Sequence, residues 1–366
     1  MPAEAGPAAA GNGHDLSRWD DPDADPIRGT RASAVSSLAT LRHLAASLWS
    51  LAKDTLWLLP WRRLERSIMT GPEKHSGMPL RVAYLGDGRS LNYLQKIFFD
   101  EIFRTERRRP VTWWQAGRCV RTAAAEADLV VVDVGATLAK VLKIPHSLKV
   151  PRWIKQRAPI QGEWNAVLAG LRRKTRMEAQ RAIRRGGYRA RLRHGADHAG
   201  NFYEHLYLPY IGQSHGAAAE TVPRRRFISE SGKCQMMELT RGDTIVAGAV
   251  LRPSGDTLSI VWAGVNIGLP PEQLTGVTDG IDYFTLRYAY AHGFRYLDMG
   301  PSRARLNDGL FLYKKKWGAE IFRSRYPQAA IFLAPVNFGP AVRGVFQGSR
   351  FIGDDGRSRT APRGPG

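Results

Sequence analysis

The sequence predicts an α/β chain: two lobes in tandem, each a mixed sheet flanked by helices, preceded by a flexible leader and an amphipathic helix. Three observations predict it. From residue 80 onward, short apolar runs of strand length alternate with segments of helical period. In the second half, three strand-like runs are joined by tight turns at Gly242-Asp243 and Ser254-Gly255-Asp256. The stretch 294–321, FRYLDMGPSRARLNDGLFLYKKKWGAEI, reads as a buried strand, a Gly/Pro loop and a short helix carrying lysines.

The first 33 residues, rich in Ala, Gly, Pro and Asp, predict a leader unable to bury enough surface to order itself. Residues 34–68 change character. Leu38, Leu41, Leu44, Leu48 and Leu51 form a helical stripe, followed by Leu56, Trp57, Leu58, Leu59, Pro60 and Trp61 and then Arg62, Arg63 and Arg66. Two readings stand: an amphipathic helix on an anionic membrane surface, or a helix packed on the body of the protein or a partner. Gly71 to Pro79 reads as a linker.

Residues 80–160 predict a small α/β lobe. Leu80–Leu85 is a strand, Leu91–Phe103 a helix with Leu94, Ile97, Phe98 and Ile102 inward, Val111–Trp114 a strand, and Leu129–Val134 a buried strand broken only by Asp133. No G-x-G-x-x-G follows Asp128–Gly135, so a dinucleotide site has no support.

Residues 161–335 predict the second lobe. Its first helix, within 163–193, buries Leu168, Leu171, Thr175, Ala179, Ala182 and Ile183 and carries arginines elsewhere, among them Arg173, Arg176 and Arg184. Those arginines are either a solvated face or a phosphate-binding surface, which the planar, bidentate guanidinium suits. Gly186-Gly187 ends the helix, and a strand follows at Tyr188–Leu192. Next come a helix near Phe202–Tyr210, strands at Cys234–Leu239, Thr244–Leu251 and Leu258–Ala263, a helix at Asp279–His292 and a strand at Arg295–Met299. The lysine helix and a last strand near Ala329–Leu333 complete the order. Residues 336–366, rich in Gly, Arg and Pro, predict a disordered tail.

Composition bounds the function. At 366 residues with 43% hydrophobic content, the chain can fill two cores. Cys119 and Cys234 are its two cysteines, too few for a disulfide framework, and the nine histidines have no zinc-site spacing. The expectation is no metal and a reducing, cytoplasmic setting, with contact to the inner face of a membrane through residues 34–68. The start lacks a basic region followed by an apolar one, so no secretory signal is expected. A net charge of +21 concentrates anions: tRNA, acidic lipid, phosphate-bearing cofactors or acidic glycans. An arginine-rich composition of genomic origin accounts for part of it equally well.

In the stretch 294–321, Leu306, Leu310, Tyr313 and Trp317 recur at i, i+4, i+7 and i+11, which predicts one apolar helix face flanked by Lys314 and Lys316. Gly318 stands where a C-cap glycine belongs. By spacing alone the lysine run is a solvated face and Asp298 a turn or cap residue. The ordered string Asp298-x-Gly300-Pro301-Ser302-Arg303, Asn307-Asp308-Gly309, Tyr313-Lys314, Trp317-Gly318 resembles the C-terminal signature of the FemAB-like branch of the GNAT acyltransferase superfamily. The resemblance covers residues 163–335 well and 80–160 loosely.

The resemblance implies a GNAT fold in both lobes and an acyl donor meeting an amine acceptor where Leu258–Ala263 and Arg295–Met299 splay. It implies Lys314 as the group stabilising an oxyanion or donor phosphate, Asp298 as orienter of the amine and Asp308 as a base or a partner of Arg303. Ser302, Arg303, Gly300, Tyr313 and Trp317 would line the substrate. His215, in a loop after a helix, is the one histidine considered as a base, against a plain surface-turn role. The helix expected at 279 is preceded by Gln273-Leu274-Thr275-Gly276-Val277-Thr278, not the basic Gly-rich loop that grips the pyrophosphate of coenzyme A.

Three function classes follow. One is an N-acyltransferase using an acyl-coenzyme A or acyl-carrier donor, in cell-surface polysaccharide or envelope biosynthesis. Another is a Fem-type aminoacyltransferase using aminoacyl-tRNA. The third is a non-catalytic membrane-peripheral or nucleic-acid-binding protein on the same fold.

Overall fold

The structure, a computed structural model, describes residues 63–193, 195–216, 221–232, 234–322, 328–353 and 358–359. The leader and residues 34–62 lie outside the described part. From Arg63 the elements run β1 (Arg63–Pro72), β2 (Pro79–Gly86), α1 (Leu91–Phe98), β3 (Arg104–Thr112), a 3-10 turn at Trp113–Gln115 and α2 (Ala116–Ala124). Then come β4 (Leu129–Val134), α3 (Ala136–Val141), β5 (Leu148–Pro151), β6 (Ile154–Pro159), α4 (Trp164–Ala169), α5 (Arg173–Gly186) and β7 (Tyr188–Arg193). A long helical stretch follows: α6 (Ala196–Phe202), a π turn at Tyr203–Tyr207 and α7 (Leu208–His215). The chain goes on through α8 (Arg224–Ser231), β8 (Gln235–Arg241), β9 (Thr244–Ser254), β10 (Thr257–Val265), α9 (Pro271–Leu274), α10 (Val277–Ala291) and β11 (Tyr296–Ser302). It closes with α11 (Gly309–Lys316), β12 (Glu320–Phe322), β13 (Ala330–Pro335), α12 (Pro340–Ser349), β14 (Phe351–Ile352) and β15 (Ser358–Arg359).

The described chain forms two compact units. One comprises residues up to Arg157, Pro301–Lys315 and Ala319 onward; the other comprises Ala158–Gly300 and Lys316–Gly318. The first holds a six-stranded mixed sheet in the order β3-β1-β2-β4-β13-β5. β2 and β4 are parallel, while β1 is antiparallel to β2 and β3, and β13 to β4 and β5. β4 is buried along its whole length. Its alternating side chains divide between two cores: Leu129 and Val131 face Leu94, Phe98 and Phe346, whereas Val130 and Val132 face Leu64, Ile68 and Cys119. That two-sided burial is why its sequence is a nearly unbroken apolar run.

Asp133 interrupts the run for a reason. Its carboxylate accepts from Arg152 Nε at 2.9 Å and from the Tyr84 hydroxyl at 3.0 Å, and Arg152 Nη2 also meets Asp87 at 2.9 Å. Burial pushes the Asp133 carboxyl upward, opposed by the adjacent guanidinium. The network ties the ends of β2, β4 and β5 together.

In the other unit, β11-β10-β9-β8-β7 lie side by side. β7 to β10 are mutually antiparallel and β11 is parallel to β10. α10 packs against this sheet and is buried at most positions, with Phe284 and Leu286 inward. α5 covers α10 through Thr175, Ala179 and Ile183, spaced one helical turn apart.

Several expectations are corrected. The two lobes are not the contiguous segments 80–160 and 161–335, because β13 pairs with β4 and β5 in the first unit. Periodicity marks a strand but not its partner. The segment expected as a tail contains α12, which buries Val342, Val345 and Phe346 after a proline at its first position. Its Gly and Arg content masked an apolar stripe. Residues 63–68, expected within the amphipathic helix region, lie in β1 (Arg63–Pro72), which is paired on both edges. The basic helix within 163–193 is broken at Gly170 into α4 and α5, and the helix from Leu91 stops at Phe98.

Candidate active site

The lysine helix turns a different face inward than its spacing predicts. Phe311, Lys314 and Trp317 are buried, at i, i+3 and i+6, while Leu310 is 43% exposed. Lys315 and Lys316 are exposed; Lys314 is only 4% exposed. From α11 its Nζ donates to the Pro301 carbonyl oxygen at 2.7 Å. Asp308 caps this helix: its Oδ1 accepts the Phe311 N–H at 3.0 Å, which satisfies one of the open donors of the first turn.

Beside α11 the first unit holds a buried polar group. The Ser302 hydroxyl donates to Gln156 Oε1 at 2.9 Å, and Gln156 Nε2 donates to the Phe311 carbonyl oxygen at 3.2 Å. Ser302 and Gln156 are both fully buried. Arg303 lies over two rings, 3.7 Å from the Trp153 centroid and 4.4 Å from that of Tyr93. Such stacking suits a guanidinium, which is weakly hydrated and planar. The Tyr93 hydroxyl is pushed up to about 12, by burial first, with the Arg305 cation opposing.

The other unit holds the remaining predicted residues. β10 and β11 pair only at Thr257/Tyr296, Leu258/Leu297 and Ser259/Asp298, and then part. β10 is bulged against β9 between Ile260 and Trp262, just past the last of these pairs. Asp298 is buried there, and its Oδ1 accepts the Gly300 N–H at 2.9 Å. Trp317 is buried, and Gly318 has φ +73°, where an added Cβ would stand 2.8 Å from the Gly170 carbonyl oxygen. His215 closes α7; its side chain lies outside the described part. Arg173 and Arg184 are exposed on α5, Arg176 is half-buried, and Tyr313 in the first unit is half-buried.

The structure thus gathers Ser302, Arg303, Asp308 and Lys314 in one unit and Asp298, Gly300 and Trp317 in the other. Gln156, Trp153 and Tyr93 are participants that the sequence reading missed. One signal was present. In Ile154–Pro159 the inward positions alternate as Ile154, Gln156 and Ala158, so Gln156 is a polar residue at a core position.

The loop ahead of α10 is closed. The Tyr188 hydroxyl lies 3.0 Å and 2.9 Å from the carbonyl oxygens of Gln273 and Thr275, within donating distance of both. An added Cβ on Gly276, which has φ +72°, would meet Ala182 of α5 at 2.4 Å. Asp279 places a carboxylate in the first turn, where the helix dipole would otherwise favour an anionic ligand.

No family model matches the chain, and no curated protein matches it. Among solved structures, it is similar to FemX at 13% identity and TM-score 0.38, covering 71% of this chain and 82% of that one. It is similar to L-PGS from Bacillus licheniformis at 10% identity and TM-score 0.38, covering 82% and 94%. A GCN5-related N-acetyltransferase from Kribbella flavida matches at 14% identity and TM-score 0.26, covering 82% and 95%. Among the described residues, no helix is long and apolar enough to cross a membrane.

Proposed function

We propose that the chain is an N-acyltransferase, moving an acyl group from a coenzyme A ester or acyl-carrier donor to an amine. The observation that carries this reading is Lys314: a buried cation, aimed at the Pro301 carbonyl, in a helix whose two other lysines face solvent. Burying an ammonium is unfavourable unless it is hydrogen-bonded. Its place at the motif position fits a charge that the reaction needs.

In the reaction a neutral amine attacks the acyl carbonyl carbon and a C–N bond forms. The carbonyl oxygen becomes an oxyanion, which Lys314 would stabilise. Collapse expels the thiolate of the donor, which takes up the amine proton and leaves as the thiol. Asp308 fixes the start of α11 and hence the place of Lys314. Ser302 and Arg303 would bind the acceptor.

A second reading has its own support. The loop ahead of α10 is pinned and carries an acid, which is poor ground for a pyrophosphate. Between Arg172 and Arg193, by contrast, ten cations accompany one carboxylate, Glu178. That balance favours a polyphosphate donor such as aminoacyl-tRNA, with Arg173, Arg176 and Arg184 on its backbone and a ribose oxygen as leaving group.

Thermal unfolding of nuclease-treated protein separates the readings. The ligands are acetyl-coenzyme A, a long-chain acyl-coenzyme A and charged tRNA, with Lys314→Ala in parallel. A ligand that binds the native state alone raises the midpoint. A rise with one coenzyme A ester, reduced in the variant, supports the first reading. A rise with tRNA alone selects the second. No rise with any donor removes both.

A further inference from the structure

We infer that the outward face of α5 docks an acyl-carrier protein, so that the acyl group arrives on the carrier's prosthetic arm and not as a free coenzyme A ester. The inference rests on the acyl-transfer reading and names its donor.

α5 turns Thr175, Ala179 and Ile183 inward. With 3.6 residues per turn, its opposite face carries Arg173, Met177, Arg181 and Arg184 at i, i+4, i+8 and i+11, all of them exposed. Arg172, Arg173, Lys174, Met177, Glu178 and Arg181 line one hollow on this face. Its single acid is engaged, since Glu178 meets Lys174 at 3.7 Å. Among the described residues, no carboxylate pairs with Arg173 or Arg181.

Met177 decides the kind of partner. It is 47% exposed in the midst of these cations. A phosphate backbone has no use for a thioether, whereas protein interfaces are enriched in methionine and arginine together. A flexible methionine packs on an apolar side chain while the surrounding guanidinium groups meet carboxylates. The matching surface is an acidic amphipathic helix with an apolar residue at its centre. Acyl-carrier proteins are small, acidic and helical, and offer such a surface.

The surroundings of α5 add an independent argument. α5 lies against the loop ahead of α10, where Ala182 leaves no room for a side chain on Gly276. Tyr188 holds that loop at the carbonyl oxygens of Gln273 and Thr275, and residues 273–279 contain no cation and end in Asp279. A free coenzyme A ester brings a pyrophosphate that must be neutralised. A carrier's arm brings one phosphodiester, and the carrier supplies its own docking surface. A donor without a pyrophosphate therefore suits a unit whose cations lie on α5 and not at this loop.

The test is fluorescence anisotropy of a labelled acyl-carrier protein in its apo form, titrated with the full-length protein. The apo form lacks the prosthetic arm, so its binding reports docking apart from acyl transfer. The variants are Arg173→Glu/Arg181→Glu and Met177→Ser, each checked for an unchanged thermal midpoint. Saturable binding is expected, weakened at least about tenfold by the double charge reversal. Met177→Ser should weaken it by a smaller factor. Absent binding, or binding untouched by the charge reversals, would overturn the inference. A thermal midpoint raised by a coenzyme A ester would in that case leave the acyl-transfer reading standing. Single-stranded RNA that binds more tightly than the carrier, and is lost in the same double variant, would overturn the inference in favour of nucleic acid.

Discussion

Lys314 Nζ reaches the carbonyl oxygen of Pro301 at 2.7 Å, linking the lysine helix to the strand-end loop thirteen residues earlier. The contact fixes where the ammonium sits.

Lys314→Met keeps the volume and removes the charge. Turnover is expected to fall by about 10²–10³, the range for loss of one oxyanion donor. The fold should survive, at a loss of about 1–3 kcal/mol for the stranded Pro301 carbonyl. Steady-state kinetics beside denaturant unfolding check this. Full turnover in a folded variant would remove Lys314 from the chemistry.

Gln156 holds Ser302 and the first turn of α11 at once. Gln156→Leu leaves the buried Ser302 hydroxyl without its partner and removes a second donor from the Phe311 carbonyl. A destabilisation of about 1–3 kcal/mol is expected from the one unsatisfied group. Urea unfolding measures it, and adding Ser302→Ala to Gln156→Leu should restore part of the loss.

Tyr93 gives a pH signature. Its folded value, raised to about 12, lies above the ordinary tyrosine value of 10.0. The folded state therefore keeps a proton that the unfolded state releases. The contribution to stability is fully present below pH 10 and is lost as the pH rises toward 12. Tyr84, also raised by burial, acts with the same sign. Stability measured from pH 9 upward should fall less steeply in Tyr93→Phe than in the parent.

Gly318→Ala tests the end of the lysine helix. Its left-handed φ and the Gly170 carbonyl oxygen 2.8 Å from an added Cβ both oppose a side chain. A loss of about 2 kcal/mol or more is expected from the backbone conformation and the clash together. An unchanged thermal midpoint would mean that the Gly170 segment shifts at no cost.

Much of the local structure was legible in the sequence. β4, β8, β9, β10 and α10 lie where the runs and periodicities put them, since each depends on residues a few positions apart. α12 was missed because glycine and arginine obscured its apolar set. Of the site, Lys314 was named from its motif, but its helix face was misassigned. Leu310 and Phe311 are adjacent and equally apolar, so periodicity alone could not choose which of them turns inward.

The sequence alone determined the α/β order, the turns that separate its strands and the excess of cations between Arg172 and Arg193, because these are short-range properties. Only the tertiary structure decided that β13 returns to β4 and β5 and that Lys314 is the one buried lysine of its helix. It alone placed Gln156 beside Ser302 across 146 residues of chain. Contacts at that separation depend on which strands pair, and pairing is chosen by the packing of whole sheets.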